Sequence, residues 1–306
     1  MRSRLKLLSA PLLLTMLAWG YNFVSLKMLY RELKPEAIAL SRFLLMWALL
    51  VVICRVRGES LMPAKEDRWR VLLVGFITMG VYMVLFLSGI RYTTAGEGAI
   101  VLATVPLITP LLAVLFRQET FSAPALGGAF LAFAGVACVA LESAAPKPGT
   151  VVDIWRGDMV VLASAFVWSL GIVLTRPLLK RYSPSQLLTM SMPGALPVLI
   201  PYGLMPMLHA PWSNLSPVAW ANFGQVVLLS GVMGFVFFNV GLRQVGPSAT
   251  TIYQFFVPAL AAFFAYALLG QSLAPLQWVG FAIVITGVLW GSWARQRANA
   301  RALPQT

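Results

Sequence analysis

Apolar runs, each about long enough to cross a bilayer, follow one another along the chain with only short polar breaks. At about 20 residues per span, the pattern predicts ten helices near residues 8–26, 36–55, 71–90, 95–116, 124–142, 157–176, 184–206, 219–241, 247–269 and 273–293. The opening segment, Met1 to Lys6 followed by apolar Leu7 to Gly20, has the outline of a secretory signal. No small-x-small cleavage site precedes a soluble domain there and nine more spans follow, so it reads as the first helix. The expected fold class is an all-α integral membrane protein with ten transmembrane helices.

The pattern is also duplicated. Gly89, Arg91, Pro106, Gly128, Gly135 and Val136 return 152 residues later as Gly241, Arg243, Pro258, Gly280, Gly287 and Val288. Thr15, Trp19, Lys27 and Pro35 return 149 residues later as Ser164, Trp168, Arg176 and Pro184, which puts a three-residue insertion between the second and third spans of the later copy. The chain divides into a first repeat, 1–149, and a second, 150–306, within one integrated unit. Five spans per copy is an odd number, so the second copy enters the membrane from the opposite side. Two inverted five-helix repeats are a recurrent plan of secondary transporters, whose halves exchange shapes about a site near the midplane.

Pro106 and Pro258 fall at matching places about halfway along helices four and nine. A proline there cannot donate its backbone hydrogen bond and frees the carbonyl four residues back, at Leu102 and Gln254, so both are expected kinks beside a cavity. Pro110 adds a second loosening in helix four. Ala95, Ala99 and Ala103, and likewise Gly287 and Gly291, form spacing-four stripes suited to close helix packing.

Composition agrees with a bilayer as solvent: 59% of residues are hydrophobic and 11% charged. The formal net charge of +13 is explained by orientation rather than by a nucleic-acid partner. With a cytoplasmic N-terminus, sixteen of the 23 Lys and Arg fall inside, six outside, and Arg42 within a span. This is the positive-inside rule, and it places both termini in the cytoplasm. Cys54 and Cys138 lie in predicted spans as ordinary apolar residues, and His209, the only histidine, sits in an outer loop. No metal site, cofactor or hydrolytic triad is expected, and without a phosphate-binding glycine loop the chain is not expected to hydrolyse ATP.

Trp19-Gly20 with Asn22-Phe23, Arg42, the run Gly89 to Gly96, Pro106, Glu119, Gly128 and Gly135 together resemble the EamA-type carriers of the drug/metabolite transporter superfamily. The second copy supplies Trp168, Gly241 to Pro247, Pro258, Leu269-Gly270, Gly280 and Gly287. The resemblance implies a central cavity lined mainly by helices one, three, four, six, eight and nine, with helices five and ten peripheral. It also implies a secondary transporter of small metabolites such as amino acids or drug-like compounds, an exporter rather than an enzyme, in a bacterial inner membrane. One departure is that Glu119 keeps the acidic residue ending the fourth helix of the repeat, whereas the second copy has Gln271.

Arg42 costs roughly 2.5–3.5 kcal/mol inside a span unless paired, hydrated or close to the surface. From the same side of the membrane, Arg42 lies about 10 Å along helix two and Glu97 about 5 Å into helix four, so an Arg42–Glu97 pair is expected near the outer mouth. Glu97 is also the candidate for proton coupling, since a carboxylate between wet and dry surroundings can titrate near neutrality and arginine cannot. Trp19, Tyr21, Tyr82, Trp168, Phe238, Tyr253 and Phe256, with Asn22, Asn239 and Gln254, are the expected cavity residues for an amphipathic solute. Two alternatives are weaker: a nucleotide-sugar-type antiporter would need more cavity cations than Arg42, and an intramembrane enzyme would need convergent acids, histidines or a nucleophile.

Overall fold

The computed structural model describes residues 9–90, 92, 95–141, 154–269 and 274–301, without the side chains of 90, 95–97, 99, 141, 154, 269 and 299–301. Among the described residues there is no strand. Among the described residues, nine helices are long and apolar enough to cross a membrane: Ala10–Leu29, Pro35–Val56, Lys65–Gly89, Ala123–Ala140, Trp155–Leu178, Pro184–Leu208, Pro217–Val245, Pro247–Leu268 and Pro275–Ala298. The shorter Ile100–Leu115 occupies the fourth place. They are numbered one to ten in chain order below. The protein is a multi-pass, all-α membrane protein.

Local chemistry sets where these helices start. Pro35, Pro184, Pro217, Pro247 and Pro275 each open a helix, where the missing N–H would have had no partner and the ring already holds the helical φ. Ser183 and Ser216 cap helices seven and eight by accepting from Gln186 N and Ala219 N, both at 3.1 Å. Between helices eight and nine the chain turns at Gly246, whose φ of +87° excludes most side chains.

Helix four departs from the continuous span predicted over 95–116. It consists of Ala95–Leu102 and Val105–Leu115, separated by a turn at Ala103 and Thr104. Helix nine is interrupted by a 3-10 turn at Tyr253–Phe255. Both breaks come just before the repeat-related prolines, where a proline nitrogen leaves the carbonyl four back unclaimed. A second paired irregularity is not visible in the sequence. Helix three carries a π segment at Phe76–Val81, and helix eight one at Gln225–Met233, which contains the positions 152 residues later.

Glycines set the closest packing. On helix five, Gly128 lies against the backbone of Gly291 and Gly135 against Val284, while Gly287 of helix ten lies against Ala132. The Gly287/Gly291 stripe therefore does pack helix ten on helix five. Elsewhere Gly89 of helix three rests on Val161 of helix six, and Gly241 of helix eight rests on Leu12 of helix one. These contacts are reciprocal, since the two glycines are 152 residues apart and their partners 149.

The connections gather at two ends of the bundle. At one, Ser216 donates through its hydroxyl (2.7 Å) and backbone N–H (2.9 Å) to Glu32, joining the loop after helix one to the start of helix eight. At the other, Arg181 pairs with Asp67 at 2.8 Å, Tyr182 donates to the same carboxylate at 2.8 Å, and Arg57 donates to Ser185 at 3.3 Å.

Candidate functional site

A cavity of about 190 Å³ lies at the centre of the bundle, lined by Trp19 and Asn22 of helix one, Arg42 of helix two, Tyr82 and Phe86 of helix three, Leu102 and Pro106 of helix four, Trp168 of helix six, Ser230 and Phe235 of helix eight, and Gln254 and Pro258 of helix nine. It extends to Tyr30 and Pro35, at the end where Glu32 meets Ser216. Rings pack together along its floor: Tyr82 against Trp168 at 4.9 Å between centroids and Trp19 against Phe235 at 5.4 Å, both tilted, with Phe238 stacked on Trp19 from beneath at 5.2 Å.

Three of the backbone irregularities contribute lining residues, Ala103, Ser230 and Gln254, and the π segment of helix three ends one residue before Tyr82. A π turn takes an extra residue into the helix and leaves carbonyls without their usual N–H partners, a feature common at functional sites. Trp19 Nε1 donates to the carbonyl of Ser230, inside the π segment of helix eight, at 3.0 Å. Ser230 in turn donates through its hydroxyl to the Ala18 carbonyl at 2.8 Å. These bonds fix the indole as part of the wall. The broken fourth and ninth helices present Leu102 and Gln254 on the other side, and Asn22 Oδ1 and Gln254 Nε2 are buried without a hydrogen-bond partner among the described residues.

Of the expected cavity residues, Trp19, Asn22, Tyr82, Trp168 and Gln254 line it together with the kink prolines Pro106 and Pro258. Phe238, Asn239 and Tyr253 are not among its lining residues. Phe238 and Asn239 lie beneath the floor beside Thr78, Thr175 and Leu242. Phe235, about one turn earlier in the same helix and just after the π segment, lines the cavity. Tyr253 is 1% exposed, and its hydroxyl accepts from Ser9 N at 3.0 Å, tying the start of helix one to helix nine. Tyr21 packs edge-on against Phe264 at 5.4 Å, and Phe256 packs into the core. Arg42 lines the cavity and donates to Met83 Sδ at 3.7 Å. The side chain of Glu97 lies outside the described residues, as does Gln271, so the expected Arg42–Glu97 pair is not part of the structural description.

Below the aromatic floor the bundle is closed. Leu12, Met16, Leu179 and Leu242 are each 0% exposed and pack in one cluster with Trp168 and Tyr253. At that end Glu119 joins four helices. Its carboxylate pairs with Arg295 of helix ten at 3.1 Å, accepts from Ser248 of helix nine, and has Arg176 of helix six at 4.0 Å. Arg295 donates further to the Thr120 carbonyl at 2.7 Å and Ser248 Oγ at 2.9 Å, and Arg176 donates to the Gln118 carbonyl at 2.7 Å. Side chains of Glu119 and Arg295 are 1% and 2% exposed, so the two charges are held together out of water. Gly246 completes the cluster, because a Cβ there would stand 2.5 Å from Glu119 Oε1. The sequence marks Glu119 but gives no sign of these partners, which come from distant segments.

Comparison with known proteins agrees with this architecture. A model of the EamA-like transporter family matches residues 8–141 and again 155–293, one match in each predicted repeat. The chain is 26% identical over 274 residues to "Uncharacterized transporter YyaM" of Bacillus subtilis, covering 89% of each chain. It is 27% identical over 278 residues to the "Probable terminal-alkyne amino-acid exporter" of Streptantibioticus cattleyicolor, covering 91% of each. A solved crystal structure shares the fold with a TM-score of 0.77 over 94% of this chain and 96% of that one, at 15% identity. With apolar helices around a central cavity among the described residues and a family match over residues 8–141 and 155–293, the chain belongs to the EamA-like transporter family.

Proposed function

We propose that the protein is a secondary exporter that moves small amphipathic metabolites by alternating access between two inverted five-helix repeats. The observation that carries this reading is the asymmetry of the central cavity, which reaches one end of the bundle and is sealed at the other by packed side chains and the Glu119 cluster. A carrier resting with its site open to one side has this form. The reciprocal Gly89–Val161 and Gly241–Leu12 contacts, the paired π segments and the paired helix breaks support the inverted arrangement, because each device recurs in both copies. Arg57, Lys65, Arg117, Arg176, Arg181 and Arg295 lie toward the sealed end, which under the positive-inside rule faces the cytoplasm. The cavity then opens outward across a bacterial inner membrane, with both termini cytoplasmic. Export of an amino acid by a Streptantibioticus relative, as its name states, is compatible with such a site.

Counterflow in liposomes, with a panel of amino acids and apolar metabolites, tests this reading. Exchange is expected for some of them and should be lost in Trp19→Ala and Gln254→Ala. Normal exchange in both variants would remove the cavity as the transport site. Proton coupling through Glu97 is the further proposal here; it requires that a pH gradient drive uptake and that Glu97→Gln abolish the drive.

A further inference from the structure

We infer that the solute is a monoanion, a carboxylate carried on an aromatic or comparably sized apolar body, and that Arg42 is its anchor. The inference rests on reading the cavity as the transport site and names the charge of what enters it.

The molecule treats the guanidinium groups of Arg295, which is buried, and Arg42, which is half-buried, in two ways. Arg295 pairs with the Glu119 carboxylate and donates from its two terminal nitrogens to Ser248 and Thr120, with only its Nε left without a partner among the described residues. Arg42, inside a span and on the cavity wall, donates to the thioether of Met83 at 3.7 Å, a weak acceptor for a group with five N–H donors. Among the described ion pairs Arg176, Arg181 and Arg295 take part and Arg42 does not. Such a group is suited to a carboxylate that accepts two parallel hydrogen bonds.

The rest of the wall fits one ring and one such head. Indole and phenol surfaces of Trp19, Trp168 and Tyr82 form an apolar floor. A cavity of about 190 Å³ is somewhat larger than a roughly 150 Å³ void that takes benzene, leaving room for a ring and a short chain. The second copy has Ser191 where the first has Arg42, and that hydroxyl is already bonded to the Leu188 carbonyl at 2.9 Å. One cation therefore serves one anionic charge, and a cationic solute would meet it unfavourably. The partnerless Asn22 Oδ1 and Gln254 Nε2 offer an acceptor and a donor to a further polar group on the solute.

Calorimetry on the purified full chain in nanodiscs, with 3-phenylpropionate, 3-phenylpropionamide and 3-phenylpropylamine, separates charge from shape. The carboxylate should bind about 10- to 150-fold more tightly than the amide, the range expected of hydrogen bonds to charged groups, and the amine most weakly. Arg42→Gln should abolish the preference and Arg42→Lys retain part of it. Should Arg42→Gln fail to fold, Ala39→Asp provides a second test, since residue 39 lines the cavity one helical turn before Arg42. The tethered carboxylate should compete with the anion and bring the amine to at least equal affinity. Equal binding of all three, preference for the amine, binding of none, or a carboxylate preference present only in Glu97→Gln would each overturn the inference. Counterflow of the wider panel reads the transporter assignment separately: a carrier of cations or neutral solutes leaves that assignment standing and removes the anion.

Discussion

Replacing Glu119 by Gln tests whether the sealed end is held shut by charge. The substitution keeps the size of the side chain and one acceptor oxygen, but leaves Arg295, 2% exposed, with its hydrogen bonds to Thr120 and Ser248 and no carboxylate. Removing one partner of a buried ion pair costs roughly 3–5 kcal/mol. Because those two hydrogen bonds and the amide oxygen remain, the lower end, about 3 kcal/mol, is the better estimate. If opening this end separates Glu119 from Arg295, the closed state loses that energy and the open one does not. At tenfold per 1.4 kcal/mol, the open population rises about 100-fold.

The measurement is the rate at which a thiol reagent reaches Thr250→Cys, a site 0% exposed at the start of helix nine, in a background with Cys54 and Cys138 replaced by Ala. Leu199→Cys, 1% exposed in the core of helix seven, serves as the control. Glu119→Gln should raise labelling at Thr250→Cys by about two orders of magnitude and leave Leu199→Cys unchanged. Unchanged labelling at Thr250→Cys would refute the electrostatic latch. An equal rise at both sites would refute it as well, because the mutation would then have loosened the whole bundle.

Three further outcomes follow from the same geometry. Gly246→Ala should lower the melting temperature in detergent by the equivalent of about 2 kcal/mol or more, since φ is +87° and the added carbon would stand 2.5 Å from Glu119 Oε1; a wild-type melting curve would contradict the cluster. Pro258→Ala gives helix nine an N–H for the Gln254 carbonyl, so the protein should melt no lower while counterflow falls several-fold; full transport would mean the break at Tyr253–Phe255 has no role. Ser216 holds the Glu32 carboxyl below its ordinary 4.5, through its hydroxyl first and its backbone N–H second. A depressed carboxylate stabilises the fold above its unfolded value and loses that contribution as pH falls through the folded one. The stability gap between wild type and Ser216→Ala should therefore be constant near neutrality and narrow below about pH 4.5 to the part due to the lost cap on Ala219 N; a gap independent of pH would count against the Glu32 bond.

What the sequence made legible depends on what its pattern encodes. Length and apolarity define spans, and a duplicated chain repeats its structural devices at fixed spacing, so Trp19 with Trp168 and Pro106 with Pro258 could be paired by counting alone. Arg42 stood out because a charge in an apolar run needs an explanation. Phe235, which lines the cavity, and Phe238, which lies beneath its floor, are about one turn apart in helix eight, and the residue types alone do not separate them. Angular position along a helix is read by assuming a constant number of residues per turn, and the π segment at Gln225–Met233 breaks that assumption just upstream. The same break leaves the Ser230 carbonyl available to Trp19. The cluster around Glu119 escaped for a different reason: Arg176, Ser248 and Arg295 share no motif with it and meet it only because four helix ends converge. Both omissions fall where backbone irregularity or a desolvated charge replaces regular packing. Regular helices with matched small residues, such as five and ten, have one good way to fit together, whereas a π turn or a buried ion pair can be satisfied by more than one arrangement of the elements that meet there. If the protein works by alternating access, as proposed, the segments least legible from periodicity are the ones expected to move.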